Sequence, residues 1–319
     1  FNMHCHSFFS YNAEGWSPAR VAYECRSRGL CAAALCDFDV LDGLNEFLEA
    51  CRLLALRGAV HLETRAYVRE LADADISSPG EPGVTYIMGC GFAGIPADGT
   101  PQAATLAQLR QGAQDRNLAL IARVNAALPE IAVDYARDVQ PLTPKGVATE
   151  RHIMRAYRLQ AEKTLPEPAA RAAFWAPLLK CEPAAFAGLE ADIPKMEDLV
   201  RNALAKRGGI GYIQPDEKTF PLADDFTRWV AACGAIPTIA WLDGTSSGEA
   251  DCERLLDLMT GKGCAALNII PDRNWNLKKP EDAALKRAKL DEVVRNCVKR
   301  DLPINIGTEM NKGGLPFVD

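Results

Sequence analysis

A sequence with only four histidines places two of them, His4 and His6, two residues apart in its opening stretch FNMHCHSFFSYN. In a strand, residues two apart project from the same face, so the two imidazoles would stand side by side. Neutral imidazole nitrogens in that arrangement suit one metal ion. A pair of exposed histidines near the chain terminus is the alternative, and the spacing alone does not separate the two. Other polar residues collect where strands are expected to end: Asp37 and Asp39 in CDFD, Glu63 and Arg65 in HLETR, and Glu309, Asn311 and Lys312 in GTEMNKGG. A lone carboxylate at such a place is commonly a helix cap or loop residue. Functional side chains of parallel α/β folds gather at C-terminal strand ends, so imidazoles and carboxylates converging from four of them point to a metal centre.

The elements that must hold these residues follow from the apolar patterning. FNMHCH reads as a strand, and Ser17-Pro18 opens a helix that stops at Gly29. LCAAALCDF, AVHLETRAYV and VTYIMGCGF read as further strands, with GLNEFLEACRLLALR a helix between the first two. The cadence resumes late, with strands AIPTIAW, AALNIIP and LPINIG alternating with three helices. Nearly all-apolar strands alternating with helices predict an α/β fold with a parallel sheet, and about seven such units fit a closed or partly closed barrel. Between the two runs, TLAQLRQGAQDRN reads as helix and LALIARV as strand, and 143–208 is helical. The expected organisation is a barrel split into 1–142 and 211–319 around a helical insertion at 143–210.

At 319 residues, with 48% hydrophobic and 24% charged residues, the composition is that of an ordinary globular protein. A net charge of −6 argues against a nucleic-acid partner. No apolar run approaches the ~20 residues of a membrane span. Eleven cysteines without a Cys-x-x-Cys read as small core residues in a reducing compartment, so a cytoplasmic location is expected. Phe1 is not an initiator methionine; residues are expected to be missing from both ends, which leaves secretion open. KRGGIGY precedes a strand-like piece rather than a helix, so it reads as a turn and not a phosphate loop.

HCHSFFSYNAEGWSPARVAYECRSRGLCAAALCDFDVLDGL resembles the opening of the PHP (polymerase and histidinol phosphatase) superfamily. That opening runs His-x-His-Thr-x-x-Ser-Asp-Gly, Ser-Pro and a helix, then a strand ending Thr-Asp-His-Asp. HLE at 61–63 takes the place of the family's Gly-x-Glu, and ERHIMRAYRL at 150–159 is similar to a segment of its nucleotide-phosphatase-like branch. The resemblance implies a distorted seven-stranded (β/α) barrel with a metal site at its mouth and phosphoester chemistry. Full members hold three metals, and several ligands are replaced here: Tyr11, Phe38, Tyr86 and Trp241 stand where the family has Asp, His, His and His, and Glu309 and Asn311 stand for its final Asp-x-His. What survives implies one divalent ion (Zn, Mn or Fe) on His4, His6, Glu63 and Glu309.

One ion lacks the multi-metal clamp of a phosphoryl displacement. Asp37 is the candidate general base or further ligand, and Arg65 a candidate catalytic cation. Arg123, His152, Asn311 and Lys312 are candidates for binding an anionic or sugar-like small substrate, with surface ion pairs as their ordinary alternative. His61 shares the strand face of Glu63 and is a weaker ligand candidate. Two functions remain: a mononuclear metal-dependent hydrolase, or a non-hydrolytic lyase, isomerase or ligand-binding descendant. An amidohydrolase barrel also opens with His-x-His, but four histidines barely supply its ligands.

Overall fold

The computed structural model describes residues 1–143, 147–311, 315 and 317. Seven strands form one sheet in chain order: β1 (Asn2–Cys5), β2 (Ala32–Phe38), β3 (Arg57–Tyr67), β4 (Val84–Cys90), β5 (Ile236–Ala240), β6 (Ala266–Ile269) and β7 (Ile304–Ile306). Just past β7, Glu309 bridges to Cys5 and its carbonyl accepts the His6 N–H at 2.9 Å, so the sheet curls into a nearly closed barrel. The α/β barrel expected from the sequence is therefore the architecture observed.

One expectation fails. The sheet is not wholly parallel, because β4 runs against both β3 and β5. A parallel neighbour requires a crossover, usually a helix. The segment 68–83 contains only a single 3-10 turn at Arg69–Leu71 and folds back through Gly83 N–H to Ala74 O at 2.9 Å. Without a crossover helix, β4 returns antiparallel.

Helices cover the outer face. Ser17 accepts the Arg20 N–H at 3.2 Å and Pro18 starts α1 (Pro18–Ser27), as the sequence signals indicate. α2 (Leu44–Leu53) follows β2. Along β3, Val60 and Leu62 join the apolar core with Leu35, Phe47 and Val21, which leaves His61, Glu63 and Arg65 on the opposite, inner face. The same alternation turns Cys36 and Phe38 of β2 inward and Asp37 outward.

The chain divides into two compact units, one of Phe1–Arg110 with Pro215–Asp319 and one of Gln111–Gln214. The first also carries α8 (Ala223–Ala232), α9 (Cys252–Gly261), α10 (Asp272–Trp275) and α11 (Pro280–Lys299). The second unit contains most of α3 (Pro101–Ala127) together with α4 (Glu150–Thr164), α5 (Pro168–Leu179), α6 (Pro183–Ala191) and α7 (Ile193–Leu204). LALIARV, expected as a strand, is part of α3. A short apolar run is ambiguous between strand and buried helix. Here Leu120, Ile121 and Val124 fall on one helical face and pack with Tyr157, Trp175 and Val200. Among the described residues, no helix is long and apolar enough to cross a membrane.

Candidate metal centre

His4 on β1 and His6 just beyond it project into the barrel with ring centroids 5.2 Å apart, and both are fully buried. Glu63 of β3 meets them: its Oε2 lies 3.4 Å from His4 Nε2 and 3.5 Å from His6 Nε2. The neighbours settle which nitrogen carries each proton. Asn268 Oδ1 already accepts the Asn305 amide at 2.8 Å, so at 3.4 Å it takes the proton of His4 Nδ1. Ser10 donates its hydroxyl to Asp37 Oδ1 at 2.7 Å, so its oxygen accepts from His6 Nδ1 at 3.1 Å. In the neutral rings both Nε2 atoms thus present lone pairs to a carboxylate, and a protonated His4 would instead direct its Nε2–H toward Glu63.

Three acceptors facing one another out of water are unfavourable unless a cation or proton lies between them. Burial depresses the His4 pKa, yet the adjacent carboxylates of Glu63 and Glu309 outweigh burial and raise it overall. Burial in turn pushes the Glu63 carboxyl up. Two neutral imidazoles with oriented Nδ1–H groups and a buried carboxylate are the donor set of a divalent-ion site, and the residues fit one.

Glu309 approaches from beyond β7, in a left-handed backbone conformation with φ 65°. Its Oε2 accepts from Arg273 Nη2 of α10 at 2.7 Å. Burial would raise the Glu309 pKa, but Arg273 and the two histidines bring it below the usual range. The approach depends on Gly307, where an added Cβ would stand 2.3 Å from His4 Cβ and 2.4 Å from His4 N. Replacing Gly307 by alanine is expected to lower unfolding stability by about 2 kcal/mol. Metal affinity should fall with it, because β1 and His4 must move. Thermal unfolding and metal titration of the variant check both.

The other candidates are distributed as follows. Asp37 is buried on the outer side of β2, where it accepts Ser7 N–H at 2.8 Å, Ser7 Oγ–H at 2.7 Å and the Ser10 hydroxyl. Burial raises its pKa and those hydrogen bonds pull it back. Its carboxylate pins the loop after β1 and, through Ser10, orients His6. Asp39 takes the Thr64 hydroxyl at 2.6 Å. Arg65 contacts Glu81 at 2.9 Å and lies 4.5 Å over the Phe220 ring. His61 Nδ1 accepts the Gly91 N–H at 3.0 Å, which puts its proton on Nε2 and removes that nitrogen as a ligand. Asn311 is half-buried two residues past Glu309, and Lys312 lies outside the described residues.

Arg123 and His152 belong to the helical unit. Arg123 Nε donates to Gly211 O at 2.7 Å. His152 Nδ1 accepts the Thr149 N–H at 3.0 Å and closes a capping box at the start of α4. Burial lowers its pKa to about 4, so the ring is neutral near pH 7. His152→Ala is expected to cost about 1 kcal/mol of stability through the lost cap, read by thermal unfolding. A raised KM with unchanged unfolding would assign the ring to substrate instead.

Sequence reasoning missed Asn268, Ser10 and Arg273. Asn268 had a visible signal, a polar residue inside the apolar run AALNIIP. Ser10 occupies the place of the Ser in the family's opening motif, but its role toward His6 arises only when the loop after β1 folds, and Arg273 had no signal, since it reaches Glu309 only through α10.

No protein-family model matches the chain, and no curated protein is significantly similar to it. Solved structures do match. One is a protein of Bifidobacterium adolescentis provisionally assigned as a metal-dependent phosphoesterase, 18% identical over 100% of this chain and 92% of that one, with a TM-score of 0.62. Another is an amidohydrolase of Chromobacterium violaceum solved with sulfate and no metal, 16% identical over 100% of this chain and 91% of that one, with a TM-score of 0.61. At these identities the likeness establishes a shared fold.

Proposed function

We propose that this chain is a metal-dependent hydrolase that uses one divalent ion on a small anionic substrate, phosphorylated or carbohydrate-like. The observation that carries this reading is the buried Glu63 carboxylate, whose Oε2 lies 3.4 Å from His4 Nε2 and 3.5 Å from His6 Nε2. The fold shared with a protein assigned as a metal-dependent phosphoesterase and with an amidohydrolase supports it.

When bound, a divalent ion lowers the pKa of a water and polarises a substrate oxygen. The chain's own residues do the rest. Asn268 and Ser10 hold the two imidazoles in register, and Glu63 supplies the buried negative charge. Glu309, whose Oε2 accepts from Arg273, would be the further carboxylate ligand. The Arg273 side chain retains 39% of its exposure and can also donate to an anionic substrate group. Phe38 stacks on His6 with centroids 4.9 Å apart and planes 12° from parallel. A phenyl ring there offers no lone pair, which supports one ion rather than a cluster.

A second reading is favoured by one observation, the engagement of the Asp37 carboxylate with Ser7 and Ser10. In a lyase, isomerase or ligand-binding protein on this barrel, the ion would orient a polyol-like ligand without a protein base. The deciding experiment assays chelator-stripped protein, reloaded with zinc, manganese or iron, against phosphate monoesters, diesters and phosphosugars. The hydrolase reading expects turnover that chelation abolishes and one equivalent of metal restores. Stoichiometric metal binding with no hydrolysis across the panel favours the second reading.

A further inference from the structure

Cys36 sits in β2 two residues before Phe38 and faces the barrel interior with Met88, Cys90 and Ala240. One ligand atom from each of His4, Cys36 and Glu63 lies within 4.8 Å of the others, and all three residues are buried. Among the described residues this is the group of three potential ligands that approach one another this closely, and His6 adjoins it through the 3.5 Å approach of its Nε2 to Glu63 Oε2. His4 Nε2 and Glu63 Oε2 are buried, lie 3.4 Å from one another and have no further hydrogen-bond partner, and both border the space that Cys36 also borders.

We propose that the Cys36 thiolate is a ligand of the same ion as His4, His6 and Glu63. The mixed imidazole, carboxylate and thiolate set then takes zinc in preference to manganese or magnesium. This rests on the metal-dependent reading above and extends its ligand set. A soft thiolate suits zinc, whereas manganese and magnesium prefer oxygen donors. On binding, the Cys36 S–H bond breaks, its proton leaves to water, and the sulfur pair forms the bond to the ion.

The test is titration of chelator-stripped protein with cobalt(II), comparing the wild type, Cys36→Ser and His4→Ala. The wild type is expected to take one equivalent with visible d–d bands and a near-ultraviolet sulfur-to-cobalt charge-transfer band. Cys36→Ser should keep the d–d bands and lose the charge-transfer band, and its preference for zinc over manganese should fall about tenfold or more. His4→Ala should lose both sets of bands. Cobalt bound without a charge-transfer band, or a band that survives in Cys36→Ser, overturns the role of Cys36 and leaves the metal reading intact. Failure of the wild type to bind cobalt overturns the metal reading itself. X-ray absorption of the zinc-loaded wild type needs no variant: one sulfur at about 2.3 Å is expected, and a shell of nitrogen and oxygen alone contradicts the proposal.

Discussion

Replacing His6 by alanine is expected to weaken metal binding by about a hundredfold or more and to reduce kcat/KM by about a thousandfold, with cooperative unfolding retained. His6 contributes Nε2 toward Glu63 Oε2 at 3.5 Å, and its Nδ1 is held by Ser10. Removing the ring takes a lone pair from the site and loosens Ser10, but leaves the apolar core around Val60, Leu62 and Ile87 in place. Most of the stability lies in that core, so the loss expected in thermal unfolding is about 2 kcal/mol. Metal titration and thermal unfolding of the same preparation separate the two effects. Retention of metal by the variant contradicts the assignment. Unfolding of both the variant and the chelated wild type would make the ion structural.

The Asp37→Ala variant is expected to lose about 4 kcal/mol, because three donors from Ser7 and Ser10 are left buried without their acceptor. The second consequence is at a distance. Ser10 then no longer holds His6 Nδ1 in place, and metal affinity should drop about 10–100-fold, as loss of an outer-shell partner does. Asp37→Asn keeps one acceptor oxygen and should fall between the wild type and the alanine variant on both measures. Activity, metal affinity and stability are expected to decline together. Activity that falls alone, with metal content and unfolding unchanged, would make Asp37 a catalytic base after all.

How far the sequence led can be seen residue by residue. His4 and His6 were legible because strand alternation is local: residues two apart share a face whatever surrounds them. Glu63 was legible for the same reason, two positions beyond His61 on an apolar strand. The direction of β4 was not, since it depends on the segment 68–83 folding back without a crossover helix. LALIARV misled because seven apolar residues carry no period that distinguishes a strand from a helix buried against Tyr157 and Trp175. Arg273 lies 36 positions from Glu309 and reaches it only once α10 folds over the end of β6. Cys36 was hidden among eleven cysteines of one chemistry, and only its position on the inner face beside His4 and Glu63 sets it apart.

One ion is expected to sit where His4 and His6 approach Glu63. Anomalous diffraction from crystals of metal-loaded protein, collected on either side of the metal's absorption edge, tests it most directly. A single anomalous peak per chain is expected, within coordination distance of His4 Nε2, His6 Nε2 and a Glu63 carboxylate oxygen. A peak elsewhere, three fully occupied peaks, or none at this position would contradict it.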